Sequence, residues 1–175
     1  MYSRLEIARL NCRTVYGRKD EFSTTIDYSR VHGLRDLGVY GKGHQNYACV
    51  ETLEKLFVSN AKGCTDLYQI SCSPKLKKLS LWMSGIRTLN GIEQYPEIQY
   101  LDLYNDRSLA DISNLVEASS SLRALYIQGC PRITDFSCLY ELTNLEHLEL
   151  TGSNVLPDLR FLEKMKNLQT FYFSM

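Results

Sequence analysis

The sequence has no surplus of either charge: 20 Lys and Arg balance 20 Asp and Glu over 175 residues. A chain that grips nucleic acid shows a basic excess, and one that lies on a membrane surface shows a basic face. Neither partner is expected. No apolar run approaches the roughly 20 residues of a membrane helix. The opening Met1-Tyr2-Ser3-Arg4-Leu5-Glu6 lacks the apolar core of a signal peptide, so no secretion signal is expected. The six cysteines form no C-x-x-C pair and no Cys/His group with zinc spacing, and there is no N-x-S/T sequon. That usage suits buried, reduced thiols in a cytoplasmic protein; a secreted repeat protein with disulfide caps is the other reading. P-loop, G-x-G-x-x-G and H-E-x-x-H motifs are all missing, and Gly41-Lys42-Gly43-His44 lacks the strand and helix that would make it a phosphate cradle. No catalytic residue, metal or cofactor is expected.

What the chain does have is a period. The stretch LRALYIQGCPRITDFSCLYELTNLEHLEL, from Leu122 to Leu150, holds the template L-x-x-L-x-L at Leu122, Leu125 and Ile127 and starts it again at Leu145. Seven such units begin at Leu34, Leu53, Leu76, Ile98, Leu122, Leu145 and Leu168, spaced by 19, 23, 22, 24, 23 and 23 residues. Few architectures repeat at this length. The pattern resembles a leucine-rich repeat, of the 22-residue class seen in protein-phosphatase regulators and internalins. Cys130-Pro131-Arg132-Ile133 resembles the cysteine-containing variety of that repeat. The resemblance covers about residues 34–175 and implies an α/β solenoid, a right-handed horseshoe with a parallel sheet on its concave face.

Alternation along each template sends positions 4 and 6 inward and positions 3, 5 and 7 to the other face. The rest of each unit steps by three, as in Ile86, Leu89, Ile92, in Ile133, Phe136, Leu139, Leu142, and in Leu159, Leu162, Met165, the last preceded by Val155 at a step of four. That step predicts 3₁₀ or short α turns on the convex side, with Asp111, Thr134 and Asp158 placed to cap them. Position 9, by the resemblance usually Asn or Cys, is here Ala61, Ser84, Asp106, Cys130 and Ser153, so some turns are expected to be irregular. The short unit from Leu34 is expected to be distorted near Gly41–Ala48. Residues 1–30 lack the repeat and are expected to form an N-terminal β cap, a hairpin turning at Gly17–Asp20; residues 31–175 form the repeats.

The outward positions carry the candidate site. Phe57, Trp82, Tyr100, Tyr104 and Tyr126 make an aromatic band on a face that a horseshoe leaves open, with Lys78, Asp102, His147, Glu149 and Tyr172 around it. Exposed Trp and Tyr clusters mark interfaces; covering one another across strands is the plainer role. Asp102 and Glu149, two strands apart, sit roughly 10 Å from each other at the ordinary strand spacing. They are read as polar contact residues, with an acid/base pair as the alternative. A triad of His147 with Ser59 or Ser80 lacks a placed nucleophile. The expected function is protein binding through the concave face. An inhibitor or immunity protein that neutralises a toxin or enzyme is the first alternative, and a repeat fragment of a larger enzyme the second. Leu168–Phe173 reads as an edge strand, which invites pairing with a second copy.

Overall fold

The computed structural model describes residues 13–18, 26–29, 31–41, 44–61, 63–152 and 159–174. The first strand is β1 (Thr14–Arg18), followed by β2 (Ile26–Asp27), β3 (Asp36–Tyr40), β4 (His44–Gln45) and β5 (Lys55–Ser59). Then come β6 (Lys78–Trp82), β7 (Tyr100–Tyr104), β8 (Ala124–Gln128), β9 (His147–Thr151) and β10 (Thr170–Ser174). Each of the seven templates thus becomes a strand over its third to seventh residues. The eight longer strands stack as one sheet in the order β1-β3-β5-β6-β7-β8-β9-β10, every pairing parallel.

Registration is row on row. Leu37, Leu56, Leu79, Leu101, Leu125, Leu148 and Phe171 form one inward column, and Val39, Val58, Leu81, Leu103, Ile127, Leu150 and Phe173 form the other. From β3 to β9 no member of either column is more than 2% exposed. A one-residue slip would turn each column out to water, so this burial holds the register.

Beyond each strand the chain turns through one left-handed residue. Gly41, Asn60, Met83, Asn105, Gly129 and Gly152 all have positive φ. Their N–H groups donate to the last carbonyl of the next strand's coil (Ser59, Trp82, Tyr104, Gln128, Thr151, Ser174) at 2.8 to 3.0 Å. The described helical segments are all 3₁₀: Tyr47–Cys49, Leu67–Gln69, Ile92–Gln94, Ser113–Ala118, Ser137–Glu141 and Leu159–Lys164.

Several expectations need correction. Thr14–Arg18 is a strand parallel to β3, so Gly17 and Arg18 lie within the sheet and not in a hairpin turn. A 22-residue step back from Leu34 reaches Cys12, and Cys12-Arg13-Thr14-Val15-Tyr16 is a degenerate template that supplies β1. The expected return strand at Phe22–Tyr28 lies largely outside the described residues; its end, β2, pairs parallel with β4 in a separate small sheet. β4 lies within the Gly41–Ala48 stretch of the short unit. Asp111 does cap its turn, accepting from Ser113 N–H at 2.9 Å, but in the next coil Asp135 takes this role from Ser137 and Thr134 does not. Both carboxyls are held below their usual range by those backbone hydrogen bonds. Asp158 and Ser153 lie outside the described residues. In the last coil Phe161 is the buried residue and Leu159 is 43% exposed, because Phe161 packs edge-on against Tyr140 and Phe171.

Candidate functional site

The outward residues of neighbouring strands stand one strand spacing apart, about 4.8 Å. Flat rings are the side chains that fill such a spacing with contact. Tyr40 meets Phe57 at 4.7 Å between ring centroids, Phe57 meets Trp82 at 5.1 Å, and Trp82 meets Tyr104 at 5.0 Å. A second pair, Tyr100 and Tyr126, lies at 5.1 Å. The tilted and edge-on geometries are those favoured by ring quadrupoles. One continuous aromatic ladder therefore crosses β3, β5, β6 and β7, with Trp82 still 37% exposed.

Beside the ladder lies a pocket of about 370 Å³ spanning β1 to β7. Tyr16, Asp36 and Tyr40 form one wall, and Trp82, Tyr100 and Asp102 form the other. Lys55, Leu56, Phe57, Lys78 and Ser80 lie between them. The Tyr16 ring lies against Gly38. A β-carbon there would stand 2.2 Å from the Tyr16 ring, so glycine is required for this wall.

Both carboxylates of the pocket are already engaged. Tyr16 donates its hydroxyl to Asp36 at 2.7 Å, and this bond, helped by burial, pushes the Tyr16 phenol up to about 12. Trp82 Nε1 donates to Asp102 at 3.1 Å, and the Ser80 hydroxyl also reaches it. Burial raises the Asp102 carboxyl, opposed by those two bonds and by Lys78. Burial, with the nearby Asp102 charge, pushes the Tyr100 phenol up to about 12. Lys78 lies 4.0 Å above the Tyr100 ring, a cation–π contact. Lys55 has no ion pair among the described residues.

The sequence-stated residues divide into three groups. Phe57, Lys78, Trp82, Tyr100 and Asp102 line the pocket. Tyr104 and Tyr126 extend it through ring contacts. His147, Glu149 and Tyr172 lie on the same face farther along: His147 Nδ1 is 2.8 Å from Thr170 Oγ1, and Tyr172 is 60% exposed. Tyr126 stands between Asp102 and Glu149 in their row, two strand spacings or about 10 Å across. His147 is three strands from Ser80 and two residues off its row, about 16 Å, beyond hydrogen-bond reach. Sequence reasoning left Tyr16 out, because it lay in the supposed hairpin. The step back from Leu34 to Cys12 was the signal for it. Among the described residues no cluster of three His, Cys, Asp or Glu side chains is placed to hold a metal ion, and no helix is long and apolar enough to cross a membrane.

No family model matches the sequence, and no curated protein matches it. Among solved structures, the fold is similar to internalin C2 from Listeria monocytogenes strain 4b F2365, with TM-score 0.59 and 20% sequence identity over 83% of this chain. The chain spans 64% of that internalin. Internalin F from the same strain is matched with TM-score 0.37 and 15% identity, over 87% of this chain and 59% of that one. Together with the eight parallel strands, the likeness to internalin C2 shows the fold: a leucine-rich repeat solenoid.

Proposed function

We propose that this chain is a protein-binding module and that its partner docks on the outward face of the sheet from β3 to β8. The observation that carries this is the ring ladder Tyr40–Phe57–Trp82–Tyr104 beside an open pocket. An exposed stack of this kind presents large apolar area whose rotamers are already restrained by neighbouring rings. Little ordering entropy remains to be lost when a partner covers it. The two carboxylates beside the stack, Asp36 and Asp102, are hydrogen-bonded in place, so they offer fixed rather than adaptable contacts. Lys55 and Lys78 supply positive charge at the centre, and Glu149 supplies negative charge farther along the same face. His147 and Tyr172 belong to the outer rim of this reading.

A narrower version makes the partner a toxin or enzyme held inactive by this chain, in a cytoplasmic setting. It rests on the rigid aromatic face alone, since rigid concave faces suit tight inhibitors. A second version pairs the β10 edge with another copy.

Capture from the native host with immobilised protein, followed by mass spectrometry, tests the reading. The wild type and Lys164→Ala, a convex-side change, should retain the same protein, and Trp82→Ala should lose it. Retention by Trp82→Ala together with loss by Lys164→Ala would place the interface on the convex side and overturn the proposal.

A further inference from the structure

Cys49 and Cys72 occupy the same place in successive coils. Each lies four residues before the leucine that opens the next template, Leu53 and Leu76. The hydrogen bonds show that this equivalence is spatial. In the main sheet, Asp36 N–H donates to the carbonyl of Arg13, and Asp36 stands opposite Thr14. By the same parallel pattern, Cys72 N–H donates to the carbonyl of Ala48 at 2.9 Å, which sets Cys72 opposite Cys49.

The two side chains also point the same way. Ser71 and Ser73 are buried and Cys72 between them is exposed; Val50 is buried and Cys49 before it is exposed. Cys72 feels the charge of Cys49, which together with the larger effect of burial raises its thiol. Parallel neighbours run about 4.8 Å apart, and a disulfide takes Cα atoms about 4.4–6.8 Å apart. The other described coils carry Gln94, Ala118, Glu141 and Lys164 at this place, so the repeat itself does not call for cysteine there.

We propose that Cys49 and Cys72 form an oxidisable pair, closed into a disulfide by exchange with a small-molecule disulfide of the glutathione class. In the first step the Cys49 thiolate attacks one sulfur of the oxidant and expels one small thiolate. In the second the Cys72 thiolate attacks the Cys49 sulfur of the mixed disulfide and expels the other. Two protein thiols are oxidised, one small disulfide is reduced to two thiols, and the two protons leave with them. The remaining described cysteines are poorly placed to compete. Burial pushes Cys130 and Cys138 up to about 12, and Cys64 is half-buried with its thiol directed to the carbonyl of Gln69 at 3.8 Å. The closed pair ties the coil that holds β3 to the one that holds β5. The enclosed loop contains β5, which carries Lys55 and Phe57 of the pocket. The inference is independent of what the outward face binds.

The test incubates reduced, folded protein with oxidised glutathione, blocks remaining thiols by alkylation, and maps non-reduced peptides. Chymotrypsin cleaves after Tyr68 and so separates Cys64 from Cys72. The expected product is a Cys49–Cys72 link that replaces transient glutathione adducts. Cys49→Ser and Cys72→Ser each leave a stable adduct on the remaining cysteine. Closure should run at least about tenfold faster in the folded protein than in urea, because the fold holds the thiols together. Adducts that persist on both cysteines of the wild type, a link through Cys64, or faster closure in urea would each overturn the pairing.

Discussion

The outward face is built differently at its two ends, although the inward columns beneath it are the same. From β3 to β7 the rings stack at 4.7 to 5.1 Å, and both pocket carboxylates accept hydrogen bonds from aromatic donors. On β9 and β10 the same positions hold His147, Glu149, Thr151, Thr170 and Tyr172. There the contact is a single polar one between His147 and Thr170, and no ring among the described residues stacks on Tyr172. From β3 onward the inward columns change only at β10, where Leu150 at 1% exposure gives way to Phe173 at 37%. In a solenoid the repeat must conserve volume inside, because each coil is sealed by the next. Outside, nothing in the fold demands a ring. The ladder is therefore a property added to the scaffold, and fold and site are separable by substitution.

The largest effect expected from that separation is on the inward column. Leu150→Ala removes a sealed side chain and should cost about 2–5 kcal/mol of folding stability. Phe173→Ala, one strand on in the same row, should cost well under half as much, because its ring already meets water. Urea unfolding of the two variants measures both. Equal losses would mean that the last coil is sealed like the others, and the contrast between the ends would fail.

Next in size is binding. With a captured partner in hand, Trp82→Ala should weaken affinity by about 2 kcal/mol or more, as central aromatic anchors do. Tyr172→Ala should change it by less than about 0.5 kcal/mol, a typical rim value. Titration calorimetry at one salt concentration compares them. A larger loss at Tyr172 would move the site to the far end and leave the ladder as mere mutual cover.

The same separation explains what could be read from the sequence. The seven templates gave the strands, their register and the inward columns, because burial of Leu, Ile and Val at fixed spacing admits one solution. The outward set named Phe57, Trp82 and Tyr104 by alternation alone. Tyr16 escaped because Cys12 and Gly17 replace apolar template residues, so the end of β1 read as the turn of a hairpin. Thr134 was named as a cap in place of Asp135 because the period fixes the turn but not which of two adjacent polar residues starts it. Phe161 displaced Leu159 through ring contacts with Tyr140 and Phe171, residues remote in sequence that no local period can weigh.

A third prediction concerns the turn that follows β7. Asp106 is fully buried at position 9. Its Oδ1 accepts from Ser84 N–H and from the Ser84 hydroxyl at 2.7 Å, and from Gly85 N–H at 3.2 Å, while Oδ2 has no hydrogen-bond partner among the described residues. Burial raises this carboxyl above its usual value in spite of those bonds. A raised folded-state value contributes stability that is present below the unfolded value, near pH 4, and is lost as pH rises through the folded one. Asp106→Asn keeps an acceptor for the turn and removes the charge. It should be more stable than the wild type by about 1 kcal/mol at neutral pH, with the gain shrinking toward about pH 4. Urea midpoints of both proteins across that window check it. A gain that is constant with pH would show that the charge of Asp106 is not what burial opposes.

The smallest effect expected lies one residue past Trp82. Met83 has φ 52° and is 45% exposed. Five other coils place Gly41, Asn60, Asn105, Gly129 and Gly152 in this left-handed turn, residues that enter it at little cost. A side chain such as methionine costs about 1 kcal/mol there, and half-exposed it recovers little by burial. Met83→Asn should therefore raise folding stability by about 0.5–1 kcal/mol, visible as a higher thermal midpoint. The Met83 N–H bond to the Tyr104 carbonyl at 2.8 Å is a backbone contact and survives the change. Strain kept at one turn only, beside the exposed Trp82, is what a contact residue of the ladder would show. On that reading the more stable variant binds the partner less tightly, and Asn60→Met, a matching strain placed one coil earlier, lowers stability without improving binding. Equal affinity of Met83→Asn and the wild type would confine the ladder's site to the strand residues, with Trp82 as its last member on β6.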